Sequence, residues 1–280
     1  MTTGKILSIA VFLSLIPCLS SLAQDQESEF GTWFSAGVEK KLAKGLSVEV
    51  DGEYRLSDFK RTDRWAVGAS LSYRLYRNEQ KTFDVKADAG VKYVKAYYPE
   101  SVTYKGDTIS VWREDGEHRL RAFNMDSAYT VGKIRAFASV SASYKIGRFK
   151  FSLRERYQFT GNDSVCVNEY KWRYDKRRGD IVLKDVEEEW KAVNNRRHSL
   201  RSRVQVSYDI RHFPVGPYAS VEVYNNLKEN FSFEKVRYLF GLDFELSKQH
   251  DLKLYYMYQN HADDDEPGGH VVGLSYAFEF

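Results

Sequence analysis

The sequence predicts an all-β fold, an antiparallel transmembrane β-barrel of about 10–12 strands with short periplasmic turns and longer extracellular loops. Three observations carry this prediction. Apolar and polar residues alternate with period two along almost the whole chain. Aromatics reach 15%, with 20 Tyr and 17 Phe, beside 29% charged residues. The chain also opens on a short apolar tract and closes on alternating aromatics.

Residues 46–57 show the alternation most cleanly. Leu46, Val48, Val50, Tyr54 and Leu56 fall on one side, and Ser47, Glu49, Asp51, Glu53, Arg55 and Ser57 on the other. Successive strand side chains point to opposite faces, so one face meets an apolar medium and the other a polar one. Related patterns run through 63–77, 81–95, 133–146, 148–159, 196–212, 216–227, 233–246, 250–261 and 269–280. A soluble sandwich alternates too, but its strands typically run about five or six residues. These segments reach ten or more, enough to cross a bilayer as tilted strands, and their polar sides carry acids and bases together. A mean hydropathy of −0.54 and the lack of a long apolar run after the first tract exclude a helical membrane bundle.

Short links at Ala43-Lys44-Gly45, Asn78-Glu79-Gln80, around Gly147, at Phe213-Pro214-Val215 and at Ser247-Lys248-Gln249 read as periplasmic turns. Segments 96–132, 160–195 and 262–268 then lie outside. Counting from Leu46 gives ten strands, the parity an even barrel needs, yet Phe30–Leu42 also reads as a strand and makes eleven. The expectation is ten to twelve strands, with twelve preferred.

At the N-terminus, Lys5 precedes an apolar tract that ends Ser21-Leu22-Ala23. Small residues at these places fit a signal-peptidase site, so residues 1–23 are expected to be a cleaved leader and 24–280 a single barrel domain. Cys18 offers a lipoprotein reading, but Pro17 before it fits that poorly. Removing Lys5 with the leader leaves 41 basic residues against 39 acidic ones, which gives no electrostatic reason to expect nucleic acid. Cys166 then stands alone, and no internal disulfide is expected. At the other end, Gly273 is followed by Tyr276, Phe278 and Phe280 on alternate positions. This looks like the terminal signal read by the barrel assembly machinery, and it forms one lipid-facing aromatic row.

The chain resembles an uncharacterised bacterial outer-membrane family, domain of unknown function 2490. The resemblance is carried by Phe30-Gly31-Thr32-Trp33 with Val38-Glu39-Lys40-Lys41, by Phe149–Gln158, by Leu200–Arg203, by Pro217–Glu222 and by Lys235–Tyr238. It implies the barrel and its outer-membrane location, and it brings no activity with it.

Strand phase points Arg148, Lys150, Arg154 and Arg156 inward beside Arg201, Arg203 and Arg211, as a basic wall. Glu49, Asp51, Glu53, Asp84, Asp88, Glu222, Asp243 and Glu245 are expected to form an acidic one. Two accounts stand side by side: a transverse field across a narrow pore that favours small anionic or zwitterionic solutes, and crossing ion pairs that fill the interior as a plug. Glu155 breaks the pattern by pointing toward lipid, where a bulge, a partner arginine or a place near the outer rim would account for it.

Candidates for chemistry are few. His198 and Ser199 are adjacent in a strand, so they face opposite ways and cannot act together. His261 and His270 flank Asp263, Asp264, Asp265 and Glu266, which read as a solvated turn, a cation cluster or a hydrolase rim. The stretch Thr160–Asn195, with Tyr170, Trp172, Tyr174, Lys176-Arg177-Arg178 and Glu187-Glu188-Glu189, reads as a hairpin extension with a charged tip, or as a surface for adhesion. No catalytic residue, metal site or cofactor is expected. The expected partners are outer-membrane lipid and lipopolysaccharide, the barrel assembly machinery during biogenesis, and a small polar solute.

Overall fold

The computed structural model describes residues 29–113, 115–191, 196–260 and 269–280. The expected leader with Cys18, together with His261 and the acids at 263–266, lies outside the described residues.

Eleven strands close the barrel: β1 (Glu29–Ala43), β2 (Leu46–Ser57), β3 (Arg61–Arg77), β4 (Phe83–Tyr98), β7 (Tyr129–Ile146), β8 (Phe149–Asn162), β11 (Arg196–Tyr208), β12 (Val215–Asn226), β13 (Ser232–Glu245), β14 (His250–Asn260) and β15 (Gly269–Glu279). Four more, β5 (Ser101–Arg113), β6 (Gly116–Asp126), β9 (Val165–Asp175) and β10 (Asp180–Lys191), form a separate sheet in the order β10-β9-β6-β5.

The barrel count corrects the preference for twelve strands. With eleven, the first and last strands run the same way, so the closing pair must be parallel. β1 and β15 pair parallel from Glu29 opposite Gly269 to Glu39 opposite Glu279, while every other barrel pair is antiparallel. Segment 96–132 adds no barrel strand. Its β5–β6 hairpin joins β9 instead, with Phe123 opposite Trp172 and Asp126 opposite Glu169.

The tight turns fall where the sequence places them. Gly45 and Gly147 sit at φ of 84° and 59°, in the left-handed region that glycine enters without a Cβ penalty.

The molecule is inside out relative to a soluble protein. Val50, Val67, Leu71, Val91, Ile134, Val140, Leu153, Val204 and Leu254 are exposed, whereas Arg64, Lys133, Lys235, Arg55, Glu222 and Arg237 are buried. Water would penalise the first set and the interior the second, so the outer surface fits hydrocarbon and the core is polar. Aromatic clusters mark both ends of the apolar band. Phe83–Tyr144, Phe149–Tyr208 and Phe278–Phe280 lie at the short-turn end, and Trp65–Tyr93 and Tyr258–His270 at the other. Tyr276 hydrogen-bonds His250 at 2.6 Å in the same outer row as Phe278.

Gly273 faces inward, and a Cβ there would stand 2.0 Å from the Tyr255 ring. A Cβ at Gly241 would stand 2.6 Å from the Tyr218 ring, and the register aligns Tyr218, Gly241, Tyr255, Gly273 and Trp33 across five strands. The Tyr218 and Tyr255 rings lie over Gly241 and Gly273, filling the space that a missing side chain leaves on a curved sheet.

Candidate functional site

Hydrogen-bonded register arranges the inward residues in rows around the wall. One row reads Gln259, Arg237, Glu222, Arg203, Arg154, Ser141, Lys86 and Arg74. The next reads Tyr224, Arg201, Arg156, Ser139, Asp88 and Ser72. Because side chains alternate with period two, arginines on β8 and β11 at every second position stack into one patch.

Glu222 stands at the centre of that patch. It accepts from Arg154 Nη2 at 2.7 Å, from Arg201 Nη2 at 3.0 Å and from Tyr224 Oη at 3.0 Å. Arg203 and Arg237 lie at 3.6 and 3.9 Å. One carboxylate therefore serves four guanidinium groups, and the patch keeps a positive excess. Glu222, expected on the acidic wall, thus lies inside the basic one, because β12 pairs directly with both β11 and β13.

On β2 the balance differs. Glu53 accepts from Arg55 Nε at 2.6 Å and Arg64 Nη2 at 3.2 Å, and the Arg55 guanidinium stacks 3.2 Å above the Trp33 ring. Asp51 pairs with Lys92, Asp84 with Arg77 and Arg74, and Asp243 with Lys253 at 3.3 Å. Among the described residues Asp88 accepts only hydroxyl hydrogen bonds, from Ser72 at 2.6 Å and Ser139 at 2.7 Å.

Two cavities, of about 470 and 590 Å³, occupy the lumen. Glu49, Asp51, Glu53, Asp88, Arg156 and Arg201 line the first. Asp84, Lys150, Arg154, Arg203, Glu222 and Asp243 line the second. Ser35, Glu53, Arg55, Arg201, Arg237 and Ser275 belong to both and form the waist between them.

Three expected wall residues lie elsewhere. Arg148 and Arg211 fall in the turns that follow β7 and β11, and Glu245 is the exposed last residue of β13. Alternation stops where a strand ends, so these side chains belong to the short-turn rim. Arg148 reaches Tyr208 Oη at 3.5 Å. Arg64, Arg237 and the Arg197–Glu234 pair, joined at 2.9 Å, are lumen residues beyond the expected walls. Their inward phase was readable, but only the fold reveals which carboxylate each one reaches.

Glu155 lies on the outer face within regular pairing to β7 and β11, which rules out a bulge. Its partner is a serine rather than an arginine: Ser202, directly opposite, donates to Oε2 at 2.6 Å. His198 and Ser199 take opposite faces as expected. His198 Nδ1 meets Tyr157 Oη at 2.7 Å, while Ser199 lines the first cavity.

The sheet beyond the barrel contains β9–β10, the hairpin expected within Thr160–Asn195, with its turn at 176–179. Its Asp126, Glu169 and Glu189 bring carboxylate oxygens within 4.8 Å of one another. Lys191 bonds Glu189 at 2.6 Å and Asp126 at 3.2 Å. The bond to Glu189 holds the Lys191 ammonium above its ordinary pKa, so a protein cation already occupies the cluster.

Two solved structures are similar in fold. One is the NanC porin in its rhombohedral crystal form, with TM-score 0.44 and 11% identity over 87% of this chain and 94% of that one. The other is the β domain of the Bordetella autotransporter BrkA, with TM-score 0.44 and 14% identity over 86% of each chain. Comparison with curated proteins finds no match. A family model described as "Protein of unknown function (DUF2490)" matches residues 30–267, and the chain, a closed barrel with a lipid-compatible exterior and a charged lumen, belongs to that family.

Proposed function

We propose that the protein resides in the outer membrane after cleavage of its leader and acts without catalysis, as a narrow conduit for small polar solutes with a bias toward those carrying a negative group. The observation that carries this reading is the pair of lumen cavities, which share six lining residues at a waist. The bias follows from the patch around Glu222, where four guanidinium groups share one carboxylate and the field in a low-dielectric channel attracts anions.

Planar-bilayer recording of the refolded protein tests both parts. Discrete conductance with anion preference in a salt gradient is expected, and replacing Arg154, Arg156 and Arg203 with Ser should shift the reversal potential toward cations. Silence at all voltages would favour the plug and a purely structural role.

A further inference from the structure

Most charged groups of the first cavity face a countercharge; three have no ion-pair partner among the described residues. The Arg156 guanidinium rests 4.2 Å from the Phe137 ring centroid and meets no carboxylate among the described residues. Its Nε is buried without a hydrogen-bond acceptor. Asp88 is held by Ser72 and Ser139 and by no cation. Glu49 has no ion-pair partner among the described residues. All three line the same cavity of about 470 Å³.

Arg156 and Asp88 also lie in one hydrogen-bonded row. Ser139 on β7 pairs with Arg156 on one side and Asp88 on the other. Two strand spacings set their Cα atoms roughly 10 Å apart, and the Arg156 guanidinium lies over the Phe137 ring on β7, the strand between them. Glu49 follows one row on, two strands from Gly90 through Ser70. The Glu222 patch attracts anions, but this station offers opposite charges a fixed distance apart, and leaving both unpaired in a confined space is costly.

We propose that this station binds a small zwitterion, with its carboxylate on Arg156 and its ammonium on Asp88, Glu49 lying behind as a second acceptor. The proposal rests on the reading of the lumen as solute-accessible and names the solute class. A simple anion would gain Arg156 but face Asp88 and Glu49, and a simple cation would meet the reverse. Only a solute with both charges satisfies both walls. A guanidinium–carboxylate contact is charge-assisted and directional, and losing one such bond costs on the order of tenfold in affinity.

Isothermal titration of the refolded protein with γ-aminobutyrate, butyrate and butylammonium tests the station independently of conduction. Tighter binding of γ-aminobutyrate is expected, by about tenfold over either single-charge analogue. Arg156→Gln should lower its affinity to that of butylammonium and Asp88→Asn to that of butyrate, while Arg156→Lys should retain part of it. Heat-modifiable migration verifies that each variant is a folded barrel. Equal affinity for all three probes, or variants that bind like the parent, overturns the zwitterion assignment and leaves the conduit intact if bilayer conductance persists. Zwitterion binding in a protein that passes no current sinks the conduit and keeps the station.

Discussion

Glu53, half-buried, and Glu222, buried, are both carboxylates on the inner wall, and both accept hydrogen bonds from guanidinium groups. They differ in how many charges they balance. Glu53 serves Arg55 and Arg64, and Asp51, nearby on the same strand, pairs with Lys92. Glu222 serves Arg154 and Arg201 directly, with Arg203 and Arg237 just beyond. The β2 side therefore approaches neutrality, while the β8–β11–β13 side is held together by one negative charge. The difference teaches that a barrel core can be paired for stability on one side and left charged on the other.

The largest expected effect comes from removing the overloaded carboxylate. Glu222→Gln leaves four guanidiniums, Arg237 buried and the other three half-buried, facing one another and should cost about 3–5 kcal/mol, read as a lower urea midpoint for the refolded barrel. Glu53→Gln releases only two, and the Arg55 guanidinium keeps its place on the Trp33 ring, so about 2 kcal/mol is expected. Equal losses would break the comparison and show that charge excess on the β8 side is neutralised by something other than Glu222.

A smaller effect should appear in selectivity rather than stability. Arg203→Ser relieves the patch of one charge at 3.6 Å from Glu222 while sparing the two shortest bonds. Anion preference in a salt gradient should then fall, with the unfolding midpoint changed by less than about 1 kcal/mol. A stability loss as large as that of Glu222→Gln would mean that the arginines form one structural unit and that none is spare.

The fold was legible because a barrel writes its two environments into alternate residues. Leu46 to Ser57 announces β2 to the residue, and the Gly45 and Gly147 turns follow from the same break in pattern. Strand count was less legible, since alternation shows which residues face lipid but not which strands meet at closure. Phe30–Leu42 is visible as a strand that makes eleven, yet the rule of even number favours twelve, and only the parallel register with β15 resolves it. Arg154 and Arg203, well inside long strands, line the second cavity, whereas Arg148, Arg211 and Glu245 lie at strand ends, where alternation gives no inward direction. Pairing was the least legible feature, because the partners of Glu222 are spread over β8, β11 and β13 and no local pattern records which strands become neighbours.

The smallest expected effect lies on the opposite side of the same strand. Arg154 and Arg156 point inward to a polar core, whereas Glu155 between them points out to the apolar band and has Ser202 as its hydrogen-bond donor. An inward charge is judged by its countercharges, and an outward one by the cost of leaving water. For an acidic residue on the lipid face that cost is below the roughly 2–4 kcal/mol of a basic one at the midplane. The Ser202 bond offsets part of it. Glu155→Gln keeps an oxygen acceptor for Ser202 and removes the charge, so the variant should gain about 1 kcal/mol in urea unfolding from lipid vesicles. Glu155→Leu should gain less, since it leaves the Ser202 hydroxyl without its partner on an apolar surface. If Glu155→Gln instead destabilises the barrel, the carboxylate must be stabilised by a contact outside this chain, and charge on the outer wall would then obey the same pairing rule as charge within.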